Sequence, residues 1–573
     1  MAAVAGMTGP PIDLTRVDPW QAFRAAAARA ADQAEPAGRQ FLVTYYDNTG
    51  SPLGECGDYI SVTLTPKKNA IAAATIVVKD SDPFAEVAAT CYYTVVPVTI
   101  ELASGWRWSG RVDVPTDDFV HGVATTTIQL ISDYCWFHSL IVFPAWWMPI
   151  EAQIPKEAVF VGPAVTNIKE MVAECVLRQS GLLGAILEFA GNILNPPAYL
   201  GSLLDAGPLA VPIVVVPTNP LTDTSKWTAI TAKMTTVAAA VDQTLKDCGL
   251  LLTADLWLPT DPQPVGLAEW GITLTEPCIV VDVRDYSTVT GITGTALDGL
   301  IGTAVDLLDT VLGEILTLLG REHLADGDST DATNPYGSGI IAQLLGLDAK
   351  PPWVVYEDGP RSGIQESHIA AHHPLAYRVI TGGKSPDWVN KGIDLLLEWA
   401  LSELLAAFGA SGISSTLLDG LLDNVFLAYM QIEDEPRRIK LGKFGRPEYF
   451  AQGGSAAYTL DALTILESAL FDTRGYHSFQ LVVMDGYPYR FGGVLFGRQF
   501  GDFGIGFPVS WVRKGKIYTD YCTEAPLIDD RTHRVQILPK IGDQSALESP
   551  WARLMRRVSS LFDIVKAASL AQN

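Results

Sequence analysis

The chain has 573 residues, 48% of them hydrophobic and 18% charged, and a formal net charge of −24 at pH 7. A length well above about 250–300 residues exceeds a single core, so three or four domains are expected. The hydrophobic content excludes a disordered chain. The acidic balance excludes specific nucleic-acid binding, because contacts to phosphates need clustered Lys and Arg. Since soluble domains usually carry roughly 25% charged residues, the low fraction indicates surface hidden against partner subunits.

The cysteines and the first residues indicate the compartment. The seven cysteines are dispersed without a Cys-x-x-Cys pair, which is typical of free and mostly buried thiols in a reducing cytoplasm. Residues 1–15 contain no basic region followed by an apolar run. No secretory signal is therefore expected there.

The first third of the chain is typical of a small β-domain. An Ala-rich run at Trp20–Gln33 predicts a helix within an N-terminal helical arm, residues 1–38. Six runs rich in β-branched and aromatic residues then alternate with turn-forming clusters between Gln40 and Ser132. This pattern predicts a first antiparallel β-barrel module at residues 39–150.

Four tryptophans belong to this module. Trp106 and Trp108 lie two residues apart, so their indoles share one packed face of a predicted strand, and Trp146 and Trp147 lie in an aromatic cluster near the end of the module. Such clusters usually form a core or a subunit interface, and the four residues are candidates for the interface. A platform that stacks on sugars is the alternative.

Helical and β-rich stretches alternate through the rest of the chain. The predicted fold class is α+β, multidomain, with two small antiparallel β-barrel-like modules separated by helical and mixed domains. The expected parts after the first module are a helical or mixed domain (151–270), a mixed domain of strands and acidic helix (271–380), a helical insertion (381–435), a second β-module (436–545) and a C-terminal helix (546–573).

Four stretches are predicted to be helical between the two modules. Residues 167–190 and 225–252 have helical patterns, and the runs Gly291–Gly320 and Gly392–Met430 are long and apolar. Acidic residues interrupt both long runs, each costing about 2.5–3.5 kcal/mol at a bilayer centre, so amphipathic helices are expected rather than membrane spans. Helices lying in a membrane interface are the alternative.

Charge is distributed unevenly along the chain. Charged residues between Gly291 and Pro360 are acidic except Arg321 and Lys350. Basic residues gather later, at Arg437, Arg438, Lys440, Lys443 and Arg446. This asymmetry suits complementary contacts between copies or with neighbouring subunits, and two solvated faces of opposite sign are the alternative.

The sequence contains no complete motif for catalysis, metal binding or cofactor binding, so no catalytic residue, metal ligand or cofactor is predicted. Gly383-Lys384-Ser385 matches the last three residues of a phosphate-binding loop. The motif also requires a glycine at position 378, where this chain has Arg378, and Pro386 blocks the helix that should follow. A nucleophile elbow of the Gly-x-Ser-x-Gly type is absent. A pair of carboxylates that meets only in space stays open.

Two clusters resemble metal sites incompletely. His368 and His372 would share a metal only on a helix, no glutamate follows the first histidine, and Pro374 ends any helix just after His373. The cluster Asp326, Asp328 and Asp331 lacks the glycine and the bidentate glutamate of a calcium loop. Both clusters are interpreted as ordinary loop residues.

The stretch Tyr377–Asp394, with the sequence YRVITGGKSPDWVNKGID, resembles a segment of minor tail proteins from actinobacterial siphophages. That family is similar to the tail-tip or baseplate hub proteins, also called tail-associated proteins, of other long-tailed phages. The residues that carry the resemblance are Gly382, Gly383, Lys384, Ser385, Pro386, Trp388 and Asn390.

The resemblance implies a structural, non-enzymatic hub in the virion. Such hubs are homotrimers assembled in the host cytoplasm, in which two small barrels per chain form a six-module ring at the tail tip. The implied partners are the distal tail protein ring, the tape measure protein and other tail-tip proteins, with transient contact to the host envelope. The implied role is to join the tail tube to the host-facing tip and to close the channel until genome ejection.

Two other classes of function stay open. A host-attachment protein would use the four tryptophans to stack on glycans and its apolar helices to engage a membrane. A cell-wall hydrolase would use an unrecognised carboxylate pair.

Overall fold

The computed structural model describes residues 41–179 except 103, 149 and 154–156; 211–290 except 287 and 288; 348–349; 354–382 except 360 and 361; 429–451; 469; 473; and 476–542 except 485, 486, 515 and 531–535. These residues form two compact units. The first comprises 41–290, 348–349, 354–368 and 479–542, and the second comprises 369–382, 429–451, 469, 473 and 476–478.

The first unit begins with short antiparallel strands. Their side chains alternate between buried and exposed, as in β4 with its Ala73–Lys79 sequence AATIVVK. Asp82 caps the first helix by accepting from the Phe84 amide, and Pro83 occupies the first helical turn. The elements are β1 (Leu42–Tyr46), β2 (Pro52–Glu55), β3 (Ser61–Thr65), β4, α1 (Pro83–Ala89), β5 (Pro97–Glu101), β6 (Arg107–Val120), β7 (Val123–Ser132), α2 (Trp136–Ser139) and β8 (Ile141–Val142).

The middle of the chain packs two helices against strands. Thr236 caps the second of these helices by accepting from the Ala239 amide. The elements are β9 (Ala158–Pro163), α3 (Ala164–Gln179), β10 (Ile213–Val215), β11 (Trp227–Ala232), β12 (Thr235–Thr236), α4 (Val237–Asp247), β13 (Leu250–Trp257), β14 (Cys278–Asp285), β15 (Val289–Thr290) and β16 (Asp348–Ala349).

The last third is again rich in strands, with one described helix. The elements are β17 (Val354–Glu357), β18 (Ile364–His372), β19 (Arg378–Gly382), β20 (Tyr429–Glu433), α5 (Glu435–Leu441), β21 (Glu448–Phe450), β22 (Tyr476–Val483), β23 (Phe491–Leu495), β24 (Arg498–Phe500), β25 (Phe503–Gly504), β26 (Pro508–Arg513), β27 (Lys516–Glu524), β28 (Leu527–Asp529), β29 (Gln536–Ile537) and β30 (Lys540–Ile541). Single 3-10 turns lie at Thr90–Tyr92, Asp133–Cys135, Ile150–Ala152, Ala268–Trp270 and Gly442–Phe444.

The largest sheet of the first unit has nine strands in the order β2-β1-β5-β6-β7-β4-β3-β28-β29. Its last two strands come from the other end of the chain: Leu527 of β28 pairs with Leu64 of β3. The described part of this sheet is open, since β2 and β29 are its two edges. A second sheet has the order β17-β26-β27-β30-β22-β18, and β10-β14-β13 form a third.

Two apolar cores lie among the described residues of the first unit. One is formed around α3, α4, β13 and β14, and it includes Phe137 and Trp146 from the aromatic segment. The other lies between the nine-stranded and six-stranded sheets, with Val43 and Leu64 on one side and Trp511 and Leu481 on the other. The β-strands at both ends of the chain therefore share a core, which stabilises them jointly.

The second unit, as described, is a three-stranded sheet with a short helix. Strand β19 is central, antiparallel to β20 and parallel to β21. Arg378 in β19 forms ion pairs with Glu433 in β20 and Glu448 in β21, at 2.6 and 2.9 Å. These pairs fix the register of all three strands.

The described residues are mostly β, and several expected helices fall elsewhere. Within residues 225–252 only Val237–Asp247 is helical, because the flanking residues form β11 and β13. Tyr429 and Met430, expected to be helical, begin β20 and pair with β19. The N-terminal arm, the Gly291–Gly320 run, residues 392–428 and the C-terminal helix lie outside the described residues.

Two other predictions can be compared directly with the described residues. All seven cysteines are free, and five of them are buried, which confirms the expected thiols. Among the described helices, none combines the length and the apolar run needed to cross a bilayer.

Candidate functional site

The longest strands of the nine-stranded sheet form a hairpin that extends past its neighbours. β6 pairs with β5 only as far as Arg111, whereas its pairing with β7 continues to Val120 and Val123. The connecting residues His121 and Gly122 have φ values of 52° and 83°, as a type I′ turn requires. The half of β6 beyond Val112 is therefore an edge strand among the described residues.

The extended half of the hairpin exposes apolar and acidic side chains together. Phe119 is 76% exposed. We call this patch the hairpin surface and define it as Val114, Asp117, Asp118, Phe119, Val120 and Val123, all of which are exposed. Val120 and Val123 pair across the hairpin and share one face, whereas Phe119 lies on the opposite face, so apolar side chains are exposed on both faces of this hairpin. Exposed apolar side chains and a strand edge without a partner are typical of a docking surface, because both features are unfavourable in water.

A second exposed aromatic group lies near the base of this hairpin. Tyr92 and Tyr93 pack edge to face with ring centroids 4.6 Å apart, and both are exposed. The neighbouring Cys91 Sγ lies 3.9 Å from the backbone oxygen of Asp113, where a bulge between Val112 and Val114 interrupts the register of β6. The bulge bends the strand where it leaves the sheet.

The second unit carries an exposed basic segment, residues 437–446. Asp434 caps α5 by accepting from the Arg437 amide, and Pro436 lies in the first turn. The exposed cations are Arg438, Lys440, Lys443 and Arg446. They lie beside Ile439 and Phe444, which is 89% exposed. The segment thus combines positive charge with exposed apolar surface.

The first half of β6 is buried, in contrast to the hairpin surface, and it is held by ionic contacts. Arg107 donates to Asp261 Oδ1 at 2.9 Å and to the Leu256 carbonyl at 2.8 Å. The Leu256 amide donates to Ser109 Oγ at 2.9 Å. These bonds join the nine-stranded sheet to β13, and bonds to a charged group contribute about 1.5–3 kcal/mol each.

Further buried charges surround this joint. Burial raises the pKa of Asp255 to about 7, although Arg284 and Arg107 oppose the shift. Burial also tends to raise the pKa of Asp282, but Lys169 at 2.8 Å and Arg284 at 3.1 Å lower that pKa to about 2. Asp282 is thus ionised and paired, whereas Asp255 is a poorly compensated carboxyl.

Asp255 lines a cavity of about 100 Å³ in the first unit. Trp106 and Trp108 line the same cavity, together with Ser109. The prediction that their indoles share one packed face stays a prediction. The Trp108 indole nitrogen is buried without a hydrogen-bond partner in the described structure. The cavity is small and bounded by β6, β13 and β23, so it belongs to the joint between these strands.

The four predicted interface tryptophans have different environments. Trp108 and Trp146 are buried, and Trp106 is partly buried. The Trp146 indole donates to Glu174 and lies at right angles to the Trp147 ring. Trp147 is 54% exposed. The interface assignment stays a prediction, and Trp147 is the tryptophan with the most surface for it.

Most residues of the family-like motif lie outside the described part of the chain. Gly382, the last residue of β19, is described and pairs with Tyr429. Outside the described residues are Gly383, Lys384, Ser385, Pro386, Trp388 and Asn390. Their importance therefore stays a prediction.

The histidine cluster lies on a strand. β18 includes His368 and His372, and residues four apart on a strand are roughly 13 Å apart, too far to share one metal ion. His368 Nε2 instead lies 2.8 Å from Glu366 Oε1. Within the described residues no group of three or more His, Cys, Asp or Glu could hold a metal. The aspartates at 326, 328 and 331 are not described.

Sequence reasoning missed the hairpin surface. It treated residues 115–124 as a connection between two strands, although His121-Gly122 is a two-residue turn flanked by Val120 and Val123. That pattern is a hairpin signal. The Arg107–Asp261 ion pair has no comparable local signal, because its partners lie 154 residues apart.

The fold and these surfaces define a multidomain, β-rich protein that exposes apolar and charged side chains, as is common in subunits of larger assemblies. Residues 42–543 match the model of the Siphovirus ReqiPepy6 Gp37-like protein family. The match covers most of the chain, and the chain belongs to this family.

Two minor tail proteins of mycobacteriophages are similar to this chain in sequence. The chain is 27% identical over 470 residues to the minor tail protein Gp28 of Mycobacterium phage L5, covering 71% of this chain and 74% of the relative. It is 26% identical over 468 residues to the minor tail protein Gp28 of Mycobacterium phage D29, covering 71% and 74%. The predicted resemblance to siphophage minor tail proteins is confirmed.

Two solved tail proteins have partial similarity to this chain. The tail protein from Neisseria meningitidis MC58 aligns with 89% of this chain and 98% of its own, at 9% identity and a TM-score of 0.37. The 43 kDa tail protein of prophage MuSo2 from Shewanella oneidensis aligns with 89% and 99%, at 9% identity and a TM-score of 0.38. Structural similarity at this level does not support conclusions about partners.

Proposed function

We propose that this chain is a non-enzymatic hub of a siphophage tail tip. In this role it forms a homotrimer, joins the tail tube and the distal tail protein ring to host-facing tip proteins, and closes the channel until genome ejection. The tape measure protein and other tail-tip proteins are its proposed neighbours. Its proposed location is the tail tip of the virion, after assembly in the host cytoplasm.

The hairpin surface is the observation that carries this proposal. A water-facing strand edge with Phe119, Val120 and Val123 exposed is unfavourable in a free monomer. Burying such side chains against another chain gives roughly 25 cal/mol for each Å² removed from water. A subunit whose surfaces are completed by other chains accounts for the patch directly.

The arrangement of sheets supports a trimer with ring symmetry. The nine-stranded sheet takes strands from both ends of the chain, whereas the six-stranded sheet is formed by strands between Val354 and Ile541. We propose that these two sheets are the barrel-like modules of the hub and that three chains give the six modules that match a sixfold tail tube. The division of the chain into the seven predicted parts and the α+β class belong to this proposal.

Labelling of intact particles tests the location. Antibodies against the exposed basic segment or hairpin are applied to purified virions and located by electron microscopy, with antibodies to a capsid protein as the control. Label at the tip of the tail supports the proposal. Label along the tail shaft or on the head contradicts it.

A second function is favoured by one observation, the exposed aromatic rings. Tyr92, Tyr93 and Trp147 could stack on sugars of the host envelope. Binding of the purified chain to cell-wall glycans, lost on Tyr92→Ala with Tyr93→Ala, would support a host-attachment role. Release of sugar or peptide fragments from cell walls would instead support a hydrolase.

A further inference from the structure

We propose that the hairpin surface of one copy docks on the basic segment of a neighbouring copy, which rests on the proposed trimer and names its contact. The hairpin surface belongs to the first unit, and the basic segment belongs to the second. A contact between different patches of identical chains is heterologous, and it closes into a ring when the rotation between neighbouring copies returns to the first copy, as a threefold axis does.

Charge complementarity is the first argument. Between Arg111 and Lys156 the sequence has no Lys or Arg, and the extended hairpin carries Asp113, Asp117 and Asp118. The basic segment, residues 437–446, contains five Lys or Arg and no Asp or Glu. Opposite charges on two patches steer the encounter and fix the register of the contact.

The ion pairs and hydrogen bonds within each patch indicate which charged residues would form the contact. Arg437 and Arg438 are already paired with Asp434 and Glu433. Lys440 and Lys443 are exposed and form no ion pair among the described residues, although Lys443 lies 5.0 Å from the Phe444 ring centroid. On the hairpin, Asp117 accepts from Thr126, whereas Asp118 has no ion pair in the described residues. Asp118 and the two lysines are the predicted electrostatic partners.

Apolar surface is the second argument. Phe119, Val120 and Val123 are exposed on the hairpin, and Ile439 and Phe444 are exposed beside the lysines. On the hairpin, Asp118 shares a face with Val120 and Val123, whereas Asp117 shares the other face with Phe119, so each face combines apolar surface with negative charge. Specific interfaces usually combine apolar and aromatic side chains, which provide much of the energy, with charged residues.

Charge reversal followed by charge exchange tests the contact. The full chain is studied by light scattering after size exclusion and by mass photometry. Asp118→Lys alone, and Lys440→Glu with Lys443→Glu, are expected to weaken the trimer by on the order of 10- to 100-fold, because like charges then face each other. A chain that carries all three changes restores opposite charges and is expected to recover the trimer.

Matched controls separate this contact from general charge effects. Glu276→Lys and Arg498→Glu reverse exposed charges outside both patches, and they should leave the trimer intact. Phe119→Ser tests the apolar part without changing the charge. Wild-type dissociation should rise with salt, because the rim charges are screened.

The outcomes distinguish this inference from the hub proposal. If the wild-type chain stays monomeric at all concentrations, both fail. If it is a trimer that the hairpin and segment variants leave unchanged, only the docking contact fails. If the single-patch variants dissociate and the exchanged chain does not recover, the two patches contact other surfaces, and the inference also fails.

Discussion

The two halves of strand β6 differ sharply in their surroundings. Arg107, Trp108 and Ser109 are buried, and bonds from this half to Asp261 and Leu256 join the sheet to β13. Beyond the bulge, the strand extends into solvent with Phe119 and Val120 exposed. The first half has strand neighbours on both sides, whereas the second half is paired only with β7 among the described residues.

The comparison teaches that alternation along a strand does not identify its partner. Both halves contain apolar residues, and both are paired with β7. The two halves differ in their second neighbour. The first half is also paired with β5, whereas the second half has no second strand beside it among the described residues. We infer that the first half provides stability and the second provides assembly.

Removing the buried cation should have the largest effect on stability. Arg107→Met leaves the Asp261 carboxylate without its cation and the Leu256 carbonyl without a donor. Loss of one partner from a buried ion pair costs about 3–5 kcal/mol of unfolding free energy. Chemical denaturation of the full chain measures the shift, and Arg498→Met, at an exposed site, is the matched control. An equal shift in both variants would refute the role of the ion pair.

The Asp255 carboxyl should make the stability of the folded chain depend on pH. An unfolded Asp has a pKa near 3.9, whereas burial raises the pKa of Asp255 to about 7. The folded chain therefore binds more protons between about pH 4 and 7, so its stability falls as pH rises through that window. The paired Asp282, with a pKa of about 2, gives no opposing change above pH 4.

The substitution Asp255→Asn should remove this loss of stability at higher pH. At pH 8 the variant is expected to be on the order of 2–4 kcal/mol more stable than the wild type, since each pKa unit corresponds to about 1.4 kcal/mol. Denaturation curves at pH 4, 6 and 8 measure the difference, with Glu276→Gln as the exposed control. A wild-type pH profile retained in Asp255→Asn would rule out this carboxyl as its source.

The hydrogen bond between segments from opposite ends of the chain should have an intermediate effect on stability. The Tyr59 hydroxyl donates to Asp529 Oδ2 at 2.6 Å, and both residues are buried. Tyr59→Phe removes a donor to a buried carboxylate and should cost about 1–3 kcal/mol. The exposed Tyr92→Phe serves as the control in the same denaturation experiment. No difference between them would argue against β28 as part of the first sheet.

A change on the hairpin surface should have the smallest effect on folding. Phe119 is exposed, so Phe119→Ser should alter the unfolding free energy of the dissociated chain by less than about 0.5 kcal/mol. The same variant should weaken assembly. Thermal unfolding below the assembly concentration, compared with mass photometry above it, separates the two effects. Destabilisation of the isolated chain would mean that Phe119 packs within its own molecule.

The sequence predicts local features of this fold well. Short strands near both ends and cysteines without disulfides follow from composition and spacing. The sequence fails where contacts join distant segments: nothing near Leu64 indicates that Leu527 completes its sheet. Local patterns also predict too long a helix around Val237–Asp247, since pairing with other strands determines the conformation of its flanks.

The candidate surfaces were only partly predictable. The cluster of basic residues at 437–446 and its suitability for contacts between copies are visible in the sequence. The hairpin surface is not, because exposure of Phe119 depends on where β4 and β5 end. Trp108 and Trp146 illustrate the converse, since aromatic residues look alike in sequence whether a core or another subunit covers them.

Hydrogen–deuterium exchange along β6 tests the account most directly. We predict slow exchange of the amides of residues 107–112 in both the dissociated and the assembled chain. Between residues 113 and 123, the amides that point to the free edge and not to β7 should exchange fast in the dissociated chain and should slow only on assembly, because the free edge is then covered. Protection of these edge amides in the monomer, or exchange there that assembly leaves unchanged, would contradict the division of β6 into a stabilising half and an assembling half.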